Sequence, residues 1–229
     1  MKPIAIFYHC LFYLGEPPEL LTNAVNIVHG QMFQITHTGL LDEARELHVG
    51  INGGTESLDI ARLIIPPKAR IELHGLDSRS ENATIHMIEK WLPGHQGWYV
   101  LYFHSKGATK PNNPMSEKWR ECMMRPVNNW RQSVRDLDNG YESVGCHWMT
   151  GPRMPLGQSI WAGNFWWATA DFLLTLPSIM DRARVKMSGL KALESRFESE
   201  VWIGNGFRLP YVKDYHAGWN PSKISTCHA

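Results

Sequence analysis

Six large residues, 98–103, are followed directly by the polar run His104-Ser105-Lys106-Gly107. The two alternating rows of large side chains predict a strand that is buried on both faces of a sheet. An imidazole, a hydroxyl and an ammonium would then lie just past the carboxyl end of a central strand, where ligands bind in open α/β sheets. Because Lys106 is cationic and glycine lets a backbone approach closely, we interpret the run as a site for an anionic ligand. A solvated lysine beside a core histidine is the alternative.

Strands and helices alternate along the chain, and these elements must position the polar run. The strands are predicted near 4–10, 46–54, 69–75 and 98–103, with helices near 19–36, 56–62 and 78–94 between them. A long helical pattern covers Met115 to Asp138, with a kink expected at Pro126. Two further strand patterns, a last helix from about Leu190 to Ile203 and an irregular tail follow. This order predicts an α/β fold with three layers, in which helices flank a mostly parallel sheet.

Composition excludes several classes of protein. The chain of 229 residues has 23 Lys and Arg against 22 Asp and Glu, a balance that argues against nucleic acid as a partner. The four cysteines include no C-x-x-C pair, so a zinc cluster or a thioredoxin motif is not expected. Patterns typical of dinucleotide enzymes and P-loop kinases are missing. We expect reduced cysteines and a cytoplasmic protein without a transmembrane segment.

Four motifs occur in a characteristic order: YFHSKG, then Trp119-Arg120 with Met123, then GYESVGCHW, then AGNFWWA. Together they resemble the rhamnan synthesis F-like group of bacterial and viral glycosyltransferases, over roughly Glu81 to His216. The later ESRFESEVWIGNG resembles the acidic helix of GT-A glycosyltransferases. The resemblance implies one GT-A-like, Rossmann-like domain, with a nucleotide-sugar half over about 1–110 and an acceptor half over about 111–229. It also implies transfer from a nucleotide-diphosphate sugar to a saccharide or glycan acceptor, in surface polysaccharide or glycan synthesis.

The donor site departs from the GT-A pattern in one respect. GT-A enzymes usually hold a divalent metal with an Asp-x-Asp motif at the end of a central strand, and His104-Ser105-Lys106 occupies that place here. Either Mn²⁺ or Mg²⁺, or Lys106 with a neighbouring arginine, can neutralise the charge of a leaving diphosphate. We favour the lysine, and Asp77 and His216 are the candidate metal ligands. The residues predicted to bind the donor are His9, Asp77, Glu81, His104, Ser105 and Lys106.

Two glutamates of the last helix are candidates for the general base. On a helical projection, Glu200 lies roughly 65° and Glu198 roughly 95° from the centre of the apolar stripe. Glu200 is therefore closer to the buried flank, where the pKa of a carboxylate rises toward the working range of a base. If the reaction inverts configuration, we expect Glu200 to take the proton of the acceptor hydroxyl. Pairing of both glutamates with Arg196 or Lys191 on a solvated face is the alternative.

The AGNFWWA segment is predicted to form the acceptor wall. Gly163 permits close approach, and the Asn164 amide can bond sugar hydroxyls. Trp166 or Trp167 would offer a stacking face, and since neighbours in a strand point to opposite sides, only one of the two can line the cleft. Arg120 is expected near the same cleft.

Two other classes of function stay open. A metal-dependent hydrolase could use some of the eleven histidines, but no H-E-x-x-H or H-x-H pairing occurs. A non-catalytic carbohydrate-binding domain would account for the ten tryptophans, although such domains are usually all-β.

Overall fold

The computed structural model describes residues 1–12, 17–75, 81–150, 159–180 and 194–216. Its strands are β1 (Ile4–Leu11), β2 (Glu46–Asn52), β3 (Arg70–Gly75), β4 (Tyr99–His104), β5 (Ser143–Gly145), β6 (Trp148–Met149), β7 (Ile160–Trp161), β8 (Trp166–Thr169) and β9 (Val212–Asp214). Its helices are α1 (Glu19–His37), α2 (Leu40–Glu43), α3 (Glu56–Ile64), α4 (Asn82–Trp91), α5 (Pro114–Asn128), α6 (Trp130–Asp138), α7 (Ala170–Leu173) and α8 (Glu194–Trp202). None of these helices is both long and apolar enough to cross a membrane.

Seven of the strands form one sheet, in the order β3-β2-β1-β4-β8-β5-β9. All neighbouring pairs are parallel except the two that involve β8. The chain moves outward from β1 to β3 and then returns to place β4 on the other side of β1. That reversal is a topological switch point, where a crevice opens outside the carboxyl ends of the strands.

Helices cover both faces of the sheet. On one face, Tyr99, Leu101 and Phe103 pack with residues of α1, α2, α3, α5 and α6. On the other, Val100 and Tyr102 pack with residues of α4, α7 and α8. Every residue of β4 is buried. The predicted three-layer α/β fold and the central strand before His104 are therefore confirmed.

The long helix predicted over 115–138 is two helices, and the break lies at Asn129 rather than at Pro126. Pro126 sits in the last turn of α5. Its carbonyl accepts bonds from Ser133 Oγ at 2.8 Å and Trp167 Nε1 at 2.9 Å. Because these side chains satisfy the carbonyl, the helix can end close behind the proline without leaving a buried acceptor unpaired.

Two further expectations need correction. The tail is not wholly irregular, because β9 adds an edge strand beside β5. Cys10 and Cys146 are free thiols, but Cys122 is disulfide-bonded, so the expectation that all four cysteines are reduced is wrong.

Candidate functional site

The carboxyl ends of β1 and β4 meet at the switch point. His9 and His104 are partners in the register of these strands and lie on the same face of the sheet. The backbone N–H of Ser105 donates to the His9 carbonyl at 2.9 Å, and the Ser105 hydroxyl accepts from the Leu11 N–H at 3.2 Å. Ser105, predicted to bind the donor, thus ties the two strand ends together.

The turn after β4 is clamped from the α1 and α5 side through its carbonyl groups. Gln31 Nε2 donates to the His104 carbonyl at 3.1 Å, and Arg120 Nη1 donates to the Lys106 carbonyl at 2.8 Å. Asn23 Nδ2 donates to the carbonyls of Gly107 and Ala108, both at 2.9 Å. We call these three side chains the backbone clamp. Its geometry fixes where the Lys106 side chain begins.

The backbone clamp holds the Arg120 guanidinium against the turn after β4. Its predicted role in acceptor binding stays a prediction. Gly107 has φ of 90°, and a Cβ there would lie 3.1 Å from Arg120 Nη1. Glycine is therefore favoured here by its backbone conformation, and a Cβ would also press on the guanidinium.

Lys106 is partly buried. The Nζ atom lies 5.2 Å from the centre of the Trp119 ring, within the range of a cation–π contact. Its charge is also close enough to Glu81 to help lower the pKa of that carboxyl. The ammonium thus lies over an aromatic ring, and its charge favours the ionised form of Glu81.

Glu81 precedes α4 and reaches under the end of β4. Its Oε2 accepts from Tyr102 Oη and from Asn164 Nδ2, both at 2.7 Å, and its Oε1 lies 3.6 Å from His104 Nδ1. The side chain is 16% exposed. Burial raises the pKa of Glu81, but His104, His9, the Tyr102 hydroxyl and Lys106 outweigh burial and lower it. Glu81 is therefore a carboxylate at neutral pH.

His104 spans the gap between Glu81 and the segment before β8. Its Nε2 lies 2.9 Å from the Gly163 carbonyl, which can only accept, so Nε2 carries a proton. Gly163 has φ of 89°, and a Cβ there would lie 2.0 Å from Met123 Sδ. Gly163 thus packs closely against α5 while its carbonyl accepts the hydrogen bond from His104.

Asn164 joins the network instead of lining an open wall. It has φ of 59° and is fully buried. Its Oδ1 accepts from Trp166 Nε1 at 2.9 Å. Trp166 and Trp167 point to opposite faces, as expected, but both indoles are buried in the core. Neither presents an exposed stacking face, because Trp166 packs on Tyr102 and Trp167 packs with the opposite core.

His9 lies beside this network and belongs to a second set of hydrogen-bonded side chains. Its Nδ1 is 2.8 Å from Thr84 Oγ1, and His74 Nε2 is 3.2 Å from the same oxygen. Burial, with smaller contributions from His104 and His74, lowers the pKa of His9 to about 3, although Glu81 opposes the shift. His9 is therefore a neutral imidazole. A Cβ on Gly50 would lie 2.1 Å from Thr84 Oγ1, so that strand position must be glycine.

Both acids of α8 are partly exposed and face α4 and β4. Glu198 Oε2 accepts from Asn82 Nδ2 at 2.7 Å. Burial, then the charges of Glu81 and Glu200, raises the pKa of the Tyr102 phenol, so Glu200 is near the end of β4. Ser199 between them is buried. Leu190 and Leu193 of the predicted apolar stripe lie outside the described residues, and the choice between the two acids as base stays a prediction.

The structure describes only one of the two candidate metal ligands. Asp77 lies outside the described residues. The His216 ring is 4.8 Å from the His147 ring, near the ends of β9 and β5. Across the described ranges, no group of three His, Cys, Asp or Glu side chains is arranged to hold a metal ion.

Seven of the predicted site residues converge on one edge of the sheet: His9, Glu81, His104, Ser105, Lys106, Gly163 and Asn164. Sequence reasoning missed their partners, which are Asn23, Gln31, His74, Thr84 and Tyr102. A pattern of polar residues on the inner faces of α1 and α4 was the available signal, since Gln31 and Thr84 are buried among apolar neighbours.

Fold and site together define an α/β protein with a polar, mostly buried site at its switch point. The family described as "Domain of unknown function (DUF8361)" matches residues 7–205, and the chain belongs to that family. No curated protein sequence matches it.

Several solved structures share a distant overall similarity. One is 4-diphosphocytidyl-2C-methyl-D-erythritol synthase from Anaerococcus prevotii, with 10% identity, a TM-score of 0.45 and coverage of 95% of this chain and 90% of that one. A protein assigned as a nucleotide-diphospho-sugar transferase from Desulfovibrio desulfuricans has 13% identity, a TM-score of 0.43 and coverage of 87% and 74%. Rv0371c from Mycobacterium tuberculosis, solved with manganese, has 10% identity, a TM-score of 0.39 and coverage of 94% and 89%. We draw no functional conclusion from similarities at this level.

Proposed function

We propose that this protein is a glycosyltransferase that moves a sugar from a nucleotide-diphosphate sugar to a saccharide acceptor. Two observations support the proposal. The sequence motifs resemble the rhamnan synthesis F-like group, and residues of two of these motifs, YFHSKG and AGNFWWA, lie together at the carboxyl end of β4. The observation that carries most weight is the Lys106 ammonium, which projects from a clamped turn and lies over the Trp119 ring.

The donor diphosphate would meet the turn after β4. When the bond between the sugar C1 and the diphosphate oxygen breaks, the nucleoside diphosphate leaves with the electron pair and gains negative charge. A preorganised cation at that point stabilises the charge without reorganisation. Lys106 supplies the cation, and the backbone clamp supplies the preorganisation, because it fixes the turn from which Lys106 projects.

The acceptor hydroxyl would attack C1 from the side of α8. Its proton must go to a base as the new C–O bond forms. Glu200 is our candidate because it lies closer than Glu198 to the buried flank of α8 and its charge helps to raise the pKa of the Tyr102 phenol in β4. Asn164 and Arg120, predicted for acceptor binding, would act from beneath the site, by orienting Glu81 and the turn respectively.

Thermal unfolding with nucleotides tests donor binding. We expect UDP, GDP, CDP or dTDP, or a corresponding nucleotide sugar, to raise the unfolding temperature. A ligand at 100 times its Kd stabilises by about 2.7 kcal/mol, which is roughly 5–10 °C for a chain of this length. The same titration in chelator and in Mn²⁺ determines whether a metal is required.

The Lys106→Met variant locates the ligand. It should lose most of the nucleotide-induced shift, because it keeps the length of the side chain and removes the charge. Lys110→Met is the matched control, since Lys110 follows in the same loop and is exposed. Equal shifts in the two variants, or no shift with any nucleotide in the unaltered protein, would contradict the proposal.

The Glu200→Gln variant tests the base. Transfer to acceptor should fall by at least about 100-fold, while the nucleotide-induced thermal shift stays as in the unaltered protein. Glu198→Gln should have a smaller effect on transfer. If Glu198→Gln abolishes transfer and Glu200→Gln does not, the two roles are exchanged and our choice of base is wrong.

A further inference from the structure

A series of hydrogen-bonded side chains, His74, Thr84 and His9, runs from the edge strand β3 to the candidate site. Ile51 of β2 pairs with Leu73 of β3, but Asn52 pairs with Gly75, so the register shifts and His74 is left over, as in a β-bulge. Bulges re-aim side chains and are frequent next to active sites. Here the His74 ring reaches Thr84 Oγ1, and Gly50 leaves the space in which the two side chains meet.

The direction of the hydrogen bonds along this series can be assigned. Glu72 Oε1 lies 3.7 Å from His74 Nδ1, and its negative charge favours a proton on that nitrogen. Burial lowers the pKa of His74 even though Glu72 opposes the shift, so the ring is neutral and its Nε2 is an acceptor. The Thr84 hydroxyl then donates to His74 Nε2. Its oxygen is left to accept from His9 Nδ1.

We infer that Thr84 and His74 are positioning residues that hold His9 in the tautomer with its proton on Nδ1. The lone pair of His9 Nε2 is thereby presented at the carboxyl edge of the sheet. Among the described residues, the hydrogen bonds of His9 include one at Nδ1 and none at Nε2. The ring is 4% exposed and lies next to His104 in the strand register, so this nitrogen is placed at the candidate site.

The two histidines of the site then have opposite roles. His104 Nε2 carries a proton that goes to the Gly163 carbonyl, whereas His9 Nε2 accepts. A ligand group that meets His9 must therefore be a donor, such as a ribose hydroxyl or a ring N–H of a nucleotide base. This assignment of a ligand rests on the proposed function, but the assignment of the tautomer does not.

The tautomer can be measured directly by nitrogen-15 NMR on the labelled protein. In the unaltered chain, the ring nitrogens of His9 should show a protonated Nδ1 and an unprotonated Nε2. Thr84→Val keeps the shape of the side chain and removes the hydroxyl, so His9 should shift toward the other tautomer or a mixture. Thr84→Ser keeps the hydroxyl and should restore the original pattern.

Nucleotide affinity provides the second readout. For whichever of UDP, GDP, CDP and dTDP binds, Thr84→Val should weaken binding roughly 3- to 10-fold, the loss expected for one hydrogen bond, and Thr84→Ser should recover it. An unprotonated Nδ1 in the unaltered protein, or an unchanged His9 pattern in a folded Thr84→Val variant, would overturn the inference. A tautomer change in a protein that binds no nucleotide would support the inference and contradict the proposed function.

Discussion

The two sides of the end of β4 hold the same turn by different means. On the α1 and α5 side, the backbone clamp of Asn23, Gln31 and Arg120 grips carbonyl groups of the turn. On the α4 and α8 side, titratable side chains, among them His104 and Glu81, bond or face one another. The first side fixes position with groups that do not change charge near neutral pH. The second side fixes which atoms carry protons, so it is the side that pH can alter.

Gly163 is where the two sides meet, and its replacement should have the largest effect. A Cβ there would overlap Met123 Sδ at 2.0 Å and would have to adopt φ of 89°. Met123 is buried, so it cannot move away freely. We expect Gly163→Ala to lower the free energy of unfolding by about 3–4 kcal/mol, from overpacking and backbone strain together. Urea unfolding measures the change.

Gly94→Ala is the matched control for that variant. Gly94 has φ of 86°, but a Cβ there would meet nothing within 4 Å. It should cost only the backbone strain, about 1 kcal/mol. If the two variants lose equal stability, Gly163 serves only its own backbone conformation, and the contact between the two sides is not important for stability.

Acid should reduce the contribution of His9 to the free energy of unfolding and leave the contribution of the backbone clamp unchanged. His9 has its pKa lowered to about 3, mainly by burial, and titrates near 6.5 when unfolded. The unfolded chain therefore binds the proton first, so the contribution of neutral His9 is complete above pH 6.5 and is lost as pH falls toward 3. Between pH 7 and pH 4.5 the loss should be about 2.7 kcal/mol.

His9 is not the only histidine that acid affects, because burial and then His216 lower the pKa of His147 to about 4. A comparison of variants is therefore needed to isolate the contribution of His9. His9→Gln should remove that part of the pH dependence of unfolding. Asn23→Ala, on the clamped side, should lower stability equally at all these pH values and keep the slope of the unaltered protein. An undiminished slope in His9→Gln would show that His9 is not buried as the neutral ring.

The fold was accessible from the sequence wherever one stretch of chain determined the outcome. The alternation of elements identified the three-layer α/β fold, and rows of large side chains over 98–103 identified the central strand. The position of His104 and Lys106 at its end was predictable for the same reason. What could not be predicted depends on contacts between distant segments, such as Thr84 with His74, or Asn23 with Gly107. β9 was missed because a three-residue edge strand has too short a pattern to register.

The two tryptophans of AGNFWWA show a limit of a different kind. Alternation correctly placed Trp166 and Trp167 on opposite faces of a strand. It could not show that helices cover both faces at that point, since coverage depends on α5 and α8, which lie far away in the sequence. Periodicity thus predicts the side on which a residue lies, but not whether that side is open.

Arg120→Lys should give the smallest change in the free energy of unfolding that still distinguishes the clamped side of the turn from the titratable side. A lysine can reach the Lys106 carbonyl but cannot fill the space beside Gly107 as the planar guanidinium does. We expect a loss of about 1 kcal/mol in unfolding free energy. Arg131→Lys, at an exposed arginine that also donates to a carbonyl, should lose less than about 0.5 kcal/mol. The clamp fixes position and not protonation, so Arg120→Lys should keep the part of the pH dependence of unfolding that His9→Gln removes. Loss of that part in Arg120→Lys would show that the two sides of the turn are not independent.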